Sequence, residues 1–354
     1  MWNKFINYFS NDIGIDLGTA NTLVYLGKKG IVINEPSVVA VNTKTNTVVA
    51  VGKVAKEMLG KTPTHIKAVR PVLDGVIADF EVTEEMLSYL IKKANSMNSK
   101  MLAPRVVVGI PSKITEVEIK AVYDAAKNSG AREVYIVEEP MAGAIGVGLP
   151  IHESVGSMVI DIGGGTTDIA VMSLFGIVKS KSIKIAGDKF NSDIINYLKE
   201  EYKLVVGDRS AEDVKIKIGS VLPTGQNKTK VRGQDMTNGL PKEIEISDLD
   251  IAKAIKNSVV ELVEATKLVI QNAPPEILSD IIQNGAVITG GGAYINGLAE
   301  LLSKELNVPV KVTEDPMSAV AKGAGKILEN IAYYKEVLID PDNNSRNRLR
   351  EINE

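Results

Sequence analysis

Apolar positions along this chain switch repeatedly between a period of about two and a period of about 3.6 residues, which predicts alternating strands and helices. The apolar runs at 23–26, 31–33, 38–41 and 47–51 predict strands. A helix is predicted over 83–98, with Thr83 as its N-cap and Glu84 and Glu85 in its first turn. The continuous apolar run 106–109 predicts a buried strand broken by Pro111 and Ser112, and 115–129 predicts an amphipathic helix closing on Gly130. A strand over 133–137 then leads through Glu138-Glu139-Pro140 into a helix ending at Gly148. The order largely starts again at Ser157, and alternation of this kind implies parallel pairing with helices on the faces. Residues 200–238 break the pattern: 212–218 predict a helix, but the polar, Gly-rich stretch 223–239 predicts an exposed loop or small subdomain. A long helix over 248–271 is stopped by Ala273-Pro274-Pro275, and an amphipathic helix is predicted over 317–334. The tail 339–354 is polar and expected to be disordered.

Three glycine clusters interrupt this pattern. Ile15-Asp16-Leu17-Gly18-Thr19-Ala20-Asn21-Thr22 and Ile160-Asp161-Ile162-Gly163-Gly164-Gly165-Thr166-Thr167 follow one rule, apolar–Asp–apolar–Gly and then small or hydroxyl residues. Each predicts two strands joined by a tight turn whose amides can close on an anion, because glycine keeps side chains from holding phosphate oxygens away. One such turn is weak evidence. Two matched copies, one in each half of the chain, imply duplicated domains gripping one nucleotide. The third cluster, Gly290-Gly291-Gly292-Ala293, follows the apolar run 286–289 and precedes a helical pattern at Leu298, Leu301 and Leu302. A strand, a glycine run and a helix N-terminus let a base or ribose lie close to backbone.

The three clusters in this order resemble the phosphate-1, phosphate-2 and adenosine motifs of the actin, sugar-kinase and 70-kDa heat-shock ATPase superfamily. Within it the chain is similar to the MreB family of bacterial actins. The similarity is carried by 14–22, Val137-Glu138-Glu139-Pro140-Met141-Ala142, 161–167 and 316–325, and extends over roughly 12–334. It implies a duplicated actin-like α/β fold, two domains around a nucleotide cleft, each with a mixed sheet flanked by helices. The implied division is an amphipathic segment 1–11, a domain I of 12–148 with the helix 317–334, and a domain II of 149–316 with a smaller subdomain at about 181–247.

Composition narrows the function classes. The 354 residues suffice for two medium α/β cores. Mean hydropathy is near zero, and no apolar run approaches the ~18 residues of a membrane span. Residues 1–10 lack the basic start and cleavage site of a signal peptide. Cysteine is absent, which excludes disulfides, thiol nucleophiles and Cys–zinc sites. Only His65 and His152 are present, both expected at the surface, so no histidine triad can be built. With 41 basic and 44 acidic residues interspersed, there is no basic stripe for nucleic acid.

ATP hydrolysis needs phosphate positioning, a metal to spread charge, and a group to orient water. By symmetry Asp16 and Asp161 are the expected Mg²⁺ ligands, through water; the competing assignment for each is a turn-capping aspartate. Gly18, Thr19, Ala20 and Asn21 are expected on the β-phosphate, and Gly163, Gly164, Gly165 and Thr166 on the γ-phosphate. Glu139, ending a strand before Pro140, is expected to orient the attacking water, while Glu138 faces the other way as a structural residue. The resemblance also points to Glu139, with the Thr166 hydroxyl as its partner. Asp168 departs from the family pattern, where Glu is frequent, and is expected only to tune the site. Glu212 and Lys215 share one helix face, as an ordinary ion pair would; the resemblance places such a pair over adenine and ribose, with Gly187 and Asp188 near the ribose.

A sugar or acetate kinase would need a polar acceptor pocket, for which no candidate cluster exists; it stays the alternative. A heat-shock chaperone would need a further substrate domain. A filament-forming ATPase needs neither, and the resemblance implies a cytoplasmic homopolymer of paired protofilaments, peripheral on the inner face of the cell membrane, with cell-shape or motility partners. Trp2, Phe5, Ile6 and Phe9 fall on one helical stripe, with Asn3, Lys4 and Asn7 opposite. The competing assignment packs that stripe on its own domain. Met97, Met101 and Leu102, in an expected loop ahead of Arg105, match an apolar membrane loop of relatives. Arg346, Arg348 and Arg350 could add lipid attraction, largely cancelled by nearby acids.

Overall fold

A computed structural model of the chain describes residues 10–27, 29–97, 102–112 and 114–339. The apolar stripe 2–9, Met101 and the tail beyond Ile339 lie outside the described residues. The chain forms two compact units: 1–155, 172–178 and 317–354 make the first, and 156–171 with 179–316 the second.

The first unit is built on a six-stranded mixed sheet. Its strands are β1 (Ser10–Leu17), β2 (Asn21–Leu26), β3 (Gly30–Pro36), β9 (Leu102–Ile110), β10 (Glu133–Glu138) and β19 (Leu338–Ile339), in the order β19-β10-β9-β1-β2-β3. β1 runs antiparallel to β2 and parallel to β9, and β9 is parallel to β10. A small antiparallel sheet is formed by β4 (Val39–Asn42), β5 (Thr47–Val51) and β6 (Ile66–Val69), and β7 (Val72–Leu73) with β8 (Val76–Ile77) makes a short hairpin. The helices are α1 (Lys53–Met58), α2 (Phe80–Ser96), α3 (Glu116–Asn128), α4 (Glu139–Val147) and the late α10 (Ala319–Glu329). Ile13, Ile15, Val106, Val108 and Ile136 from the sheet pack with Leu87 and Leu90 of α2 into one core. Lys326 of α10 caps α4, its Nζ donating 2.9 Å to the carbonyls of Ile145 and Gly146.

The second unit centres on a five-stranded sheet ordered β13-β12-β11-β17-β18, from β11 (Ser157–Ile162), β12 (Thr167–Ser173), β13 (Gly176–Ile183), β17 (Ala286–Thr289) and β18 (Val310–Val312). β17 is parallel to both β11 and β18. Around it lie α5 (Gly187–Tyr202), α6 (Asp208–Ile218), α7 (Asp248–Gln271), α8 (Pro275–Asn284) and α9 (Leu298–Leu306). A three-stranded antiparallel sheet, β14 (Leu204–Val205), β15 (Lys228–Asp235) and β16 (Pro241–Ser247), completes the unit. Ile160, Ile169, Phe190, Ile194, Leu262 and Ile288 anchor its core.

Local chemistry explains most boundaries, and some depart from expectation. Thr115 and Glu118 form a capping box that starts α3, and Gly148, with φ 81°, ends α4. For α2 the cap is Asp79, not Thr83: the Asp79 carboxylate accepts from Val82 N at 3.1 Å. Thr83 lies one turn inside, its hydroxyl donating back to Asp79 O at 2.6 Å. The polar stretch 223–239 contains strand β15, which charge patterning had hidden. Its Lys228 and Arg232 pair across the ladder with Glu245 and Glu243, while Val231 and Ile246 point into the core. Pro275 does not merely follow a stop; it opens α8 at its first position, where a missing amide costs nothing. The expected helix 317–334 is α-helical only over Ala319–Glu329, preceded by a 3₁₀ turn at Pro316–Ser318. Beyond it Tyr333 and Tyr334 pack edge-on against Phe175, at centroid distances of 5.3 and 6.3 Å. No helix among the described residues is long and apolar enough to cross a membrane. His152 is exposed and His65 half-buried.

Candidate functional site

In the first unit β1 ends at Asp16-Leu17 and turns back at Asn21, with Leu17 opposite Thr22. Neighbours hold the turn in place. Ser37, fully buried, donates its hydroxyl to Gly18 O at 2.5 Å and its amide to Ala20 O at 3.0 Å, and shares a 2.9 Å bond with the Thr22 hydroxyl. The Thr19 hydroxyl accepts from Gly75 N at 3.1 Å, from the two-residue turn of the β7–β8 hairpin. These contacts occupy the carbonyls of Gly18 and Ala20 inside the protein. Asn21 begins β2. Asp16 is half-buried and sits opposite Gly109 of β9.

Glu139 is the first residue of α4, not the last of a strand; Glu138 ends β10. Glu139 is only 7% exposed. A Cβ on Gly109 would lie 3.4 Å from Glu139 Cγ and 2.9 Å from Val320 Cγ1, so the glycine makes room for this carboxylate stem. Glu138 is turned elsewhere, accepting from the Ser112 hydroxyl at 2.6 Å.

The second unit repeats the turn with different bracing. Gly163 N donates to Thr166 O at 2.9 Å. The first amides of α5 then reach back: Gly187 N to Gly163 O at 3.1 Å and Asp188 N to Gly164 O at 2.8 Å. Lys215 Nζ donates to Gly187 O at 2.7 Å, and a Cβ on Gly187 would sit 3.2 Å from that ammonium. Gly163, Gly164, Gly187, Asp188 and Lys215 are therefore one cluster, with the Lys215 ammonium beside the glycine turn. Glu212 lies one turn before Lys215 and is also half-buried. Thr166 is buried, as are Gly165 and Asp168.

Asp161 and Asp16 are not equivalent. Asp161 is 6% exposed, and burial pushes its carboxyl up to about 6, against the opposing effect of one hydrogen bond from the Thr289 hydroxyl at 2.8 Å. A buried carboxylate with that little compensation is suited to a cation. Asp161 occupies the last position but one of β11, as Asp16 does in β1, and its buried carboxylate oxygens are donors of the kind Mg²⁺ takes. Mg²⁺ ordinarily takes one or two carboxylates and keeps several waters.

The third glycine cluster differs from expectation. Gly291–Tyr294 is a 3₁₀ turn, and the α-helix begins only at Leu298. Gly290 has φ 80°, and a Cβ there would be 2.6 Å from Ile162 C and 2.8 Å from Asp161 Oδ1; one on Gly292 would press on the Ile162 side chain. These glycines are needed first for packing on the end of β11. Ala293 is buried beside them. Asn296 then ties the turn to the end of α6, through Asn296 N to Gly219 O at 3.1 Å and Asn296 Nδ2 to Ser220 Oγ at 3.1 Å.

Residues 10–336 match the family model described as MreB/Mbl protein. The chain belongs to the MreB/Mbl family. The cell shape-determining protein Mbl of Bacillus subtilis (strain 168) is 52% identical over 324 residues, 91% of this chain and 97% of that protein. The cell shape-determining protein MreB of Escherichia coli (strain K12) is 48% identical over 339 residues, 94% of this chain and 98% of that protein. Among solved structures, MreB5 of Spiroplasma citri bound to ADP matches with a TM-score of 0.86 and 38% identity, over 93% of this chain and 98% of that one. A MamK double helical filament, 22% identical with a TM-score of 0.78, covers 91% of this chain and 99% of that chain and shares the fold. Membership in the MreB/Mbl family makes this an actin-like filament protein with a role in cell shape.

Several supporting residues escaped the sequence reading. Ser37, Ser112 and Thr289 are single hydroxyls outside any motif's glycine spacing, and nothing local marks them. Asp74-Gly75 is a recognisable hairpin turn, but its contact with Thr19 spans 56 residues. Leu102, expected in a loop, is instead the first residue of β9, 39% exposed and opposite Ser10.

Proposed function

We propose that this MreB/Mbl protein binds and slowly hydrolyses Mg-ATP and couples hydrolysis to assembly of cytoplasmic, membrane-associated filaments. The observation that carries the reading is the cluster in which the first α5 amides and Lys215 brace the Gly163–Gly164 turn, which begins two residues after the buried Asp161. Nucleotide-bound relatives support it: MreB5 of Spiroplasma citri was solved with ADP and with AMPPNP. The β-phosphate belongs to the amides of Gly18, Thr19, Ala20 and Asn21, and the γ-phosphate to Gly163, Gly164, Gly165 and Thr166. Gly187, Asp188, Glu212 and Lys215 hold the ribose and base, with Gly290, Gly291, Gly292 and Ala293 behind them. Asp16 and Asp161 hold the waters of Mg²⁺, which supplies charge neutralisation on the phosphates when bound. Glu139 orients the attacking water, with the Thr166 hydroxyl as its partner.

The test is electron microscopy of the full chain with Mg-ATP, with phosphate release measured in parallel. Linear polymers that require nucleotide, with slow release, are the expected result. A monomer at every concentration, with release stimulated by a sugar, would instead make the chain a small-molecule kinase.

The membrane part of the proposal has its own support. Ser10 of β1 lies directly opposite Leu102 of β9, and the Leu102 side chain is exposed. Met97, at the end of α2, is 41% exposed. Each large apolar side chain contributes ~1.5–3 kcal/mol if fully buried, so repeated anchors along a filament bind where single ones do not. Filaments should co-pellet with anionic vesicles and monomers should not. Deleting 1–9 should cut pelleting severalfold, with little dependence on moderate salt. Undiminished pelleting of that deletion and of a further change at Leu102 would remove both segments from the role.

A further inference from the structure

We infer that Thr289 positions the Asp161 carboxylate for the hydrated cation, so that the third glycine cluster serves the metal as well as the nucleoside; the inference rests on the Mg-ATP reading above. Thr289 ends β17 and is fully buried, and the parallel pairing of β17 with β11 places it directly opposite Asp161. Its hydroxyl donates to Asp161 Oδ1 at 2.8 Å, a contact that spans 128 residues of chain. The next residue, Gly290, closes the same side: a Cβ there would stand 2.8 Å from Oδ1, and its own amide is spent on Pro316 O at 2.9 Å.

Thr289 and Gly290 thus make a fitted wall against one oxygen of the carboxylate, a single O–H donor beside a bare Cα. The wall fixes the side-chain torsions of Asp161, which burial alone would not do. Orientation matters because Mg²⁺ demands near-ideal octahedral geometry and releases its waters reluctantly, so a carboxylate that swings misplaces the whole hydrated ion. Residues that orient a metal-binding group without touching the metal typically cost 10–100-fold in metal affinity when removed. A threonine fits this place because its β-branched stem suits the strand and its hydroxyl reaches across to the neighbouring strand.

The experiment uses the full-length protein and a fluorescent ATP analogue, titrated in EDTA and then across a Mg²⁺ series. Thr289→Val keeps shape and loses the donor; Thr289→Ala is a second donor-less variant should valine disturb folding; Thr289→Ser restores the donor. The Mg²⁺ concentration at half-effect should rise about tenfold for Val and Ala, and stay within about threefold of wild type for Ser. Affinity in EDTA should shift less than about twofold for Val, a split that general loosening of the strand would not produce. Wild-type binding with an unshifted Mg²⁺ midpoint in Thr289→Val, or with Ser behaving as Val does, overturns the role of Thr289 alone. Failure of wild type to bind the analogue in any condition overturns the Mg-ATP reading itself, and Thr289's role with it.

Discussion

Replacing Glu139 with glutamine should lower phosphate release by about 100-fold or more while nucleotide affinity stays within about threefold of wild type. Glutamine keeps the length and shape that fit beside Gly109 and Val320, so the start of α4 should be undisturbed. What it loses is the negative charge that, in the proposed role, attracts and orients a proton-bearing water. Positioned proton acceptors contribute typically 10²–10⁴-fold, and phosphoryl transfer leaves little else for the protein to do beyond holding the phosphates. Binding has no reason to weaken, because a buried carboxylate near phosphates repels them; a small gain in affinity would fit the same account. Single-turnover phosphate release with a nucleotide titration separates the two. Release at the wild-type rate would take Glu139 out of the role, and equal loss of binding and turnover would make it structural.

Asp161→Asn should invert the stability order of wild type and variant according to whether Mg-ATP is present. Without metal, the Asp161 carboxyl is raised to about 6 by burial, whereas in the unfolded chain it keeps an ordinary value near 3.8. Above pH 6 both states carry the charge, and the native state bears the cost of burying it. As pH falls through 6 toward 4 the native state takes up a proton that the unfolded state does not, so the native state gains stability. The cost at pH 7.5 is therefore at most about 3 kcal/mol, from roughly two pKa units at 1.36 kcal/mol each. Asparagine removes it while still accepting from Thr289. In EDTA the variant should melt higher than wild type at pH 7.5, with the gap closing toward pH 4.5. With Mg-ATP, wild type should gain stability through linkage and the variant should gain little. A variant that melts lower at pH 7.5 in EDTA, with unchanged nucleotide affinity, would make Asp161 a turn-capping residue.

The amino-acid order by itself determined the elements and the family. Hydrophobic period is a local property: the 24-residue α7, with its capping pair Ser247 and Asp250, and the buried strand β17 are visible because their own residues repeat at 3.6 or run continuously apolar. The two Gly turns are visible for the same reason, since a tight turn between two strands favours glycine at that place whatever surrounds it. Elements whose stability comes from elsewhere were not visible. β15 has a polar face held by charges on β16, and α8 starts at a proline that also reads as a stop.

Tertiary structure alone decided what the site residues are to one another. Asp16 and Asp161 have similar neighbours in sequence, yet Asp16 is half-buried, whereas Asp161 is buried and meets Thr289, at the end of a strand 128 residues away, and the Gly290 that follows it. Ser37 locks Gly18 and Ala20, and Lys215 anchors Gly187, through contacts that no spacing along the chain encodes. Gly290 and Gly292 were readable as places of close approach, and the fold brings the end of β11, in the same unit, against them. Desolvation and hydrogen bonding depend on three-dimensional neighbours, so the charge state of a carboxylate and the stiffness of a turn belong to the fold, even where the motif that bears them is plain in the sequence.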